Sequence, residues 1–312
     1  MLQILKAPAR PMVRGLRQNW YAFRFHRAIK KLQTNLERSM MTCGSITADA
    51  STDVLWMQLE QVAAECGAAS RVVSLSKQLK MSDGGLYWQR YGQHYTHVGQ
   101  GREKALEHAL TFELLDISRV RRYCDVAAAT SPIEHALIAE WSQVEYWKQD
   151  MLYETDMSRK IIGGPAQAMQ GVKSGFFDAL TLHCSFEHFN GAADVEFLTE
   201  VDRVLSPIGA CLILPLYVGA THRVFFDPTT VSVEQVSKYD LEGELRPVYG
   251  FRQEHGRYYS PESLAARLLK QLPPTLIATL IRFTEQDAVD PSIYLNFALV
   301  LHRADSIFRC PS

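Results

Sequence analysis

From Arg121 onward the chain alternates short apolar runs with helical patterns, and this alternation restricts the fold more than any other feature. A strand that returns through a helix to a parallel neighbour crosses over right-handed, and repeating the unit builds a parallel sheet covered on both faces. The spacing predicts strands at 122–127, 144–149, 160–162, 177–184 and 210–217, with helices at 132–141 and 194–205. The second helix places Val195, Leu198, Val201, Val204 and Leu205 on one apolar stripe. Ser206-Pro207-Ile208-Gly209 reads as a turn. Ser260 and Pro261 open a helix over 261–272 that Pro273 and Pro274 stop. Two apolar strands follow at 275–283 and 293–302 with no helix between them, so they must pair antiparallel, as a hairpin. The expected class is α/β: a Rossmann-like, doubly wound sheet of five parallel strands, with the antiparallel C-terminal hairpin at one edge and a helical N-terminal extension.

The regions before this pattern are different in kind. Residues 1–40 carry nine Lys or Arg against Glu37 alone, a charge of +8, while the remainder carries −9. Trp20, Tyr21, Phe23, Phe25, Ile29 and Leu32 interleave there with Arg24, Arg27, Lys30 and Lys31. A basic amphipathic arm of this kind suits an anionic membrane surface or an acidic face of its own protein, and a transit peptide shares its composition. Residues 41–53 read as a linker, 54–80 as a helix with Leu55, Leu59, Val62, Ala63 and Cys66 at helical spacing, and 84–101 as an aromatic loop or cap. The expected organisation is an arm over 1–42, a helical and aromatic cap segment over 54–101, and a main domain over 102–312 with a cap insertion at 218–259.

Composition excludes several classes. Apolar residues make up 47% and charged residues 21%, too apolar for a disordered chain. The longest uncharged apolar run, 210–220, is too short to span a bilayer and contains Pro215. No apolar core of a secretory signal follows the first charges. Six cysteines, with no CxxC pair, suggest free thiols in a reducing compartment, neither a disulfide framework nor a zinc site; no metal is expected. The expected location is cytoplasmic, with peripheral membrane association through the arm.

Four segments give the chain a family resemblance: Phe177-Asp178-Ala179-Leu180, Ser185-Phe186-Glu187-His188-Phe189, Phe197-Leu198-Thr199-Glu200-Val201 and Arg203-Val204-Leu205-Ser206-Pro207-Ile208-Gly209. Their order and spacing resemble the class I S-adenosylmethionine-dependent methyltransferases, in which they would be the fourth strand, its loop, the next helix and the turn into the fifth strand. The resemblance spans about residues 105–217 well and 250–303 loosely. It implies S-adenosylmethionine as cofactor and places the nucleotide-binding loop on Asp125-Val126-Ala127-Ala128-Ala129-Thr130-Ser131. The usual loop has glycine at the positions of Ala127, Ala129 and Ser131. Alanine allows close approach of a ligand, but a left-handed conformation costs it roughly 1–2 kcal/mol. Either the loop keeps a negative φ, or cofactor affinity falls.

Asp150 follows Ser131 by 19 residues, at the end of the second strand, where a carboxylate can accept hydrogen bonds from ribose hydroxyls. Glu145 is the competing carboxylate. Pro165 stands where the family often has an acid, which leaves the Ala166 amide, Met151 and Met169 for the adenine. Cys184 and Ser185 are expected beside the methionine end of the cofactor. Methyl transfer needs alignment above all, and a base where the acceptor carries a proton. His188, with Glu187 beside it, is the candidate catalytic pair; His183 reads as structural. The acceptor pocket falls either on Tyr87, Trp88, Tyr91, His94, Tyr95 and His97 or on the aromatic residues of 218–259. The expected acceptor is a small or membrane-associated molecule. Nucleic acid is not an expected partner, because the basic residues lie in the arm and not around the cleft. The alternatives are a catalytically inactive methyltransferase-fold protein that serves as a binding or scaffold module, and a nicotinamide-dependent oxidoreductase, which the terminal hairpin fits less well.

Overall fold

The computed structural model describes residues 50–78, 86–96, 101–129, 131–251, 253–290 and 293–309. The basic arm, Cys43, His97 and Cys310 lie outside the described residues.

Ser51 caps the first helix, α1 (Thr52–Glu65), by accepting from the Val54 amide at 3.3 Å. The helix ends far short of 80. Cys66 and Gly67, the latter at φ 71°, terminate it, and Ala69–Ser74 forms a strand, β1. The pair Val72-Val73 explains the difference, since β-branched side chains favour an extended chain. The segment 84–101, expected to be irregular, contains a helix at Leu86–Tyr91 and a 3₁₀ turn at Gly92–His94. Helix α2 (Gly101–Leu114) follows.

The alternating region then builds β2 (Arg122–Val126), α3 (Ile133–Glu140), β3 (Glu145–Asp150), β4 (Ile161–Gly163), β5 (Phe177–His183), α4 (Ala193–Val204) and β6 (Leu205–Leu214). No separate turn occupies 206–209. The chain passes from α4 straight into β6, and Ser206 donates to Asp178 Oδ1 at 2.7 Å beside a register shift opposite 177–179. The insertion carries β7 (Arg223–Phe226), β8 (Glu244–Pro247) and β9 (Gly256–Tyr258), a small separate sheet in the order β8-β7-β9. Helix α5 (Pro261–Arg267), capped by Ser260, is shorter than its expected span and is followed by a 3₁₀ turn at Leu269–Gln271. Strands β10 (Ile277–Thr284) and β11 (Phe297–His302) complete the chain's regular elements.

The main sheet has eight strands in the order β1-β10-β11-β6-β5-β2-β3-β4. Every pair is parallel except β10 with β11 and β11 with β6, so β11 alone runs against its neighbours. The hairpin is therefore not at the edge, because β1 pairs with β10 beyond it. One apolar layer holds Leu55 and Leu59 of α1, Leu198 and Val201 of α4 and Leu264 of α5. The opposite layer holds Leu106 and Leu110 of α2 and Leu137 of α3. Burial on both faces is why the central strands read as apolar runs rather than alternating ones. The strand order reverses between β2 and β5, and such a switch point opens a crevice at the carboxyl edge.

Candidate functional site

A cavity of about 570 Å³ occupies that crevice, within the volume range of small-molecule sites. Ten of the residues singled out in the sequence line it: Asp125, Ala127, Ala129, Ser131, Asp150, Met151, Ala166, Cys184, Ser185 and His188. Glu187 is not among the lining residues but contacts one of them, with its Oε1 3.5 Å from His188 Nε2.

The loop between β2 and α3 does not keep a negative φ at its alanines. Ala127 has φ 54° and Ala129 φ 41°, so both adopt the left-handed conformation that favours glycine. Residues 149 and 150 hold them there. The Ala127 amide donates to Gln149 Oε1 at 3.2 Å, the Ala128 amide to the Gln149 carbonyl at 2.9 Å, and the Ala129 amide to Asp150 Oδ2 at 2.8 Å. Tyr153 donates its hydroxyl to the Ala129 carbonyl. Ser131 closes the turn through its amide, which donates to the Ala128 carbonyl at 2.7 Å, and its hydroxyl accepts from Ile133 at 3.4 Å. Cys184, at the end of β5, is also left-handed at φ 48°. Three of the five positive-φ non-glycine residues among those described thus line one cavity, and strain of this kind concentrates at functional sites.

Asp150 also accepts from the Leu152 amide at 2.9 Å. A carboxylate has about four lone-pair positions, so acceptor capacity remains. Glu145, its rival, stands at the opposite end of β3, 3.5 Å from Arg122 Nε, and is excluded from the cavity by geometry. Asp125 is buried, accepts from the Tyr146 hydroxyl at 3.3 Å, and lies 3.6 Å from His183 Nδ1. His183, read as structural, lines the cavity as well and meets Thr111 Oγ1 at 2.9 Å. Met151 is 72% exposed on the cavity rim, whereas Ala166 is buried. Met169, expected near the adenine, is instead a core residue whose amide donates to Glu200 Oε1 at 2.6 Å. Ser185 Oγ is buried without a hydrogen-bond partner at the cavity wall.

His188 donates from Nδ1 to the His255 carbonyl, which turns Nε2 toward Glu187. Burial raises the pKa of Glu187, opposed chiefly by His188. Burial, with the charges of His188 and Arg257, lowers the pKa of His255 to about 3 and keeps that ring neutral.

Sequence reading missed a polar group on α2. Glu107 is fully buried; it accepts from Lys104 Nζ at 2.9 Å and from the Cys184 thiol at 3.0 Å. Glu103, Glu107 and Cys184 bring potential ligand atoms within 4.8 Å of one another, and Lys104 already supplies a cation there. Glu103 and Glu107 lie on neighbouring turns of one helix; their spacing is visible in the sequence, but the Cys184 that they meet is remote from them.

The aromatic residues divide. Tyr87, Tyr91 and Tyr95 are buried in the core and form no part of the cavity wall. In the insertion, Tyr258 packs on Tyr217 with ring centroids 5.1 Å apart, and Phe225 on Tyr258 at 5.0 Å.

No family model matches the chain, and no curated protein matches it. Solved structures resemble it loosely. A Pyrococcus horikoshii OT3 protein is 17% identical, with 70% of this chain and 98% of that one covered at a TM-score of 0.41. Burkholderia thailandensis 1,6-didemethyltoxoflavin-N1-methyltransferase, solved with its substrate and S-adenosylhomocysteine, is 12% identical over 83% and 92% of the two chains, with a TM-score of 0.40. A putative O-methyltransferase of Nostoc punctiforme is 10% identical over 73% and 72%, with a TM-score of 0.38. The fold is read from the chain's own strands: an eight-stranded, Rossmann-like α/β sheet in which β11 alone runs antiparallel to its neighbours. No helix among the described residues is long and apolar enough to cross a membrane.

Proposed function

We propose that the chain transfers a methyl group from S-adenosylmethionine to a small-molecule acceptor, with the crevice cavity as the cofactor site. The observation that carries this reading is the loop of Ala127 and Ala129, held in a glycine-like conformation over a cavity of about 570 Å³. Two alanines at positive φ cost roughly 1–2 kcal/mol each, and Gln149, Asp150 and Tyr153 offset this with hydrogen bonds that fix the turn.

The residues present fit the cofactor. Asp150 has lone pairs left for the ribose hydroxyls, with Ala127, Ala129 and Ser131 shaping the backbone beside them. Met151 and Ala166 provide apolar contact for the adenine. Asp125 offers a buried negative charge to the ammonium of the methionine end, and the unpartnered Ser185 hydroxyl, with Cys184, completes that wall. When bound, the cofactor supplies a sulfonium methyl group whose S–C bond breaks as the acceptor bonds to carbon, the electron pair staying on sulfur. The chain's own part is to align the acceptor, exclude water, and take a proton where the acceptor carries one. His188 would accept that proton at Nε2, and Glu187, 3.5 Å away, would steady the charged ring. Residues 1–40, with a charge of +8, would bring the protein to an anionic membrane surface from the cytoplasmic side.

Calorimetric titration of S-adenosylmethionine and S-adenosylhomocysteine into the full-length protein tests the reading. Micromolar binding of both, weakened about tenfold or more by Asp150→Ala, is the expected result. Absence of heat and of any thermal shift with either ligand would refute it.

A further inference from the structure

Two loops line the cavity at the carboxyl ends of β2 and β4, and one side chain is bonded to both. The first is the β2–α3 loop, with Ala127 and Ala129 left-handed. The second follows β4 through Gly164, at φ 96°, to Pro165 and Ala166. Ala127, Ala129, Pro165 and Ala166 all belong to the cavity wall. Gln149 belongs to it as well and is only 1% exposed. It stands on β3, which pairs with β2 on one side and β4 on the other. Its Oε1 accepts from the Ala127 amide at 3.2 Å, and its Nε2 donates to the Gly164 carbonyl at 2.5 Å.

The backbone of β3 completes the arrangement. The Gln149 carbonyl accepts from the Ala128 amide at 2.9 Å, and the Asp150 carbonyl accepts from the Gly164 amide at 3.2 Å. The Gly164 residue is thus held at both its N–H and its C=O by two consecutive residues of one strand. Its neighbour Gly163 is fixed by space, since a Cβ there would overlap the Tyr153 carbonyl oxygen. A primary amide suits the place of Gln149 because one end only accepts and the other only donates. Residue 127 offers an N–H and residue 164 a carbonyl, so the partners also fix which way the amide points. A carboxylate would suit the first and repel the second, and a hydrocarbon would leave both unpaired. The two loops are the places where the sequence departs from the usual pattern, with alanines in one and Pro165 in the other.

We propose that Gln149 is a positioning residue of the cofactor site, whose carboxamide ties the two loops together and so sets the affinity for S-adenosylmethionine. The inference rests on the methyltransferase reading for the identity of the ligand. Gln149 acts through the backbone that it holds. Glycine occupies a left-handed conformation unaided, whereas alanine leaves it unless something holds it there. Gln149 therefore matters because residue 127 is alanine, and the two positions are coupled.

A double-mutant cycle on the full-length protein tests this, with S-adenosylhomocysteine titrated calorimetrically into each variant and denaturant unfolding used to establish that each is folded. Gln149→Met keeps the unbranched length of the side chain and removes both hydrogen bonds, so affinity should fall about thirtyfold. Adding Ala127→Gly should recover at least about threefold of that loss, which a packing defect at 149 would not allow. Gln149→Glu keeps an acceptor for the Ala127 amide and loses the donor to Gly164. It should weaken binding by about fivefold or more and gain nothing from Ala127→Gly, and it carries the test if Gln149→Met does not fold. Affinity within about twofold of the wild type in the Gln149 variants would overturn the inference, as would a loss in Gln149→Met that Ala127→Gly leaves untouched. Failure of the wild type to bind S-adenosylhomocysteine would sink the cofactor reading and the inference together, whereas binding indifferent to residue 149 sinks the inference alone.

Discussion

Two buried charge clusters in this molecule invite comparison. One ties the insertion to the main sheet. Arg257 lies 2.7 Å from Asp194 and 3.3 Å from Asp240, and Arg267 lies 2.7 Å and 3.2 Å from the same two acids. His222 approaches Asp240 at 2.9 Å, and the Tyr259 hydroxyl donates to Asp194 at 2.7 Å. Two guanidinium groups face two carboxylates, and burial, which alone would raise both acids, is outweighed so that each sits below its usual range. The other cluster sets three glutamates against one lysine, and there burial wins at Glu103 and Glu187. The balanced cluster holds α4, α5 and the insertion together through ion pairs of 2.7–3.3 Å. In the unbalanced one, the protonation of the acids follows their burial.

The largest expected effect breaks the balanced cluster. Arg257→Ala leaves the buried Asp194 and Asp240 with Arg267 as their one guanidinium partner and should lower stability by roughly 3 kcal/mol in denaturant titration. A loss below about 1 kcal/mol would mean that the network does not hold the insertion. Next comes Asp150→Ala, which removes the acceptor of the Ala129 and Leu152 amides. Unfolding should then be easier by about 2–3 kcal/mol. No change would show that the loop does not depend on this carboxylate.

The unbalanced cluster predicts the opposite sign. Glu103 has a raised folded-state pKa, so as pH climbs from the unfolded value near 4.5 toward about 7 the unfolded chain gives up its proton first. Stability contributed by the neutral acid is therefore present at low pH and lost across that window. Asp194 and Asp240, both depressed, do the reverse: their contribution is present above the unfolded carboxylate value and is lost as pH falls below it. Glu103→Gln should flatten the decline between pH 5 and 7 and gain on the order of 1 kcal/mol at pH 8, after allowance for its partial exposure. A variant less stable than the parent at pH 8 would contradict an uncompensated charge there. The smallest effect belongs to Ala127→Gly. Relief of the left-handed alanine, about 1–2 kcal/mol, is offset by the entropy of glycine, about 0.5–1 kcal/mol, so a gain of less than about 1 kcal/mol is expected.

Where local chemistry and packing agreed, the sequence was readable. The apolar runs of β5, β6 and β11 are buried along almost their whole length, and their burial is the same fact as their composition. The resemblance places a loop on 125–131 and a carboxylate at Asp150, and Asp125, Ala127, Ala129, Ser131 and Asp150 line one cavity. β1 was not readable. Ala69–Ser74 is short and follows a helix in a helical-looking context, and only its pairing with β10, some 200 residues away, makes it a strand. Ser206–Gly209 has turn residues, yet Ser206 finds Asp178 and the chain runs on extended. The acidic cluster was hidden for the same reason. Glu103 and Glu107 look like the solvated face of a helix until Cys184 and Glu187 are brought against them. Gln149 is a buried polar residue beside Asp150 at the end of β3.

The central claim is that alanines at 127 and 129 preserve a working cofactor loop. The affinity of S-adenosylhomocysteine for the wild-type chain and for the double variant Ala127→Gly/Ala129→Gly tests it most directly. Micromolar binding to the wild type, changed by no more than about threefold in the variant, is predicted, because the conformation that glycine would permit is already present. Binding that appears only after the glycines are restored would contradict it.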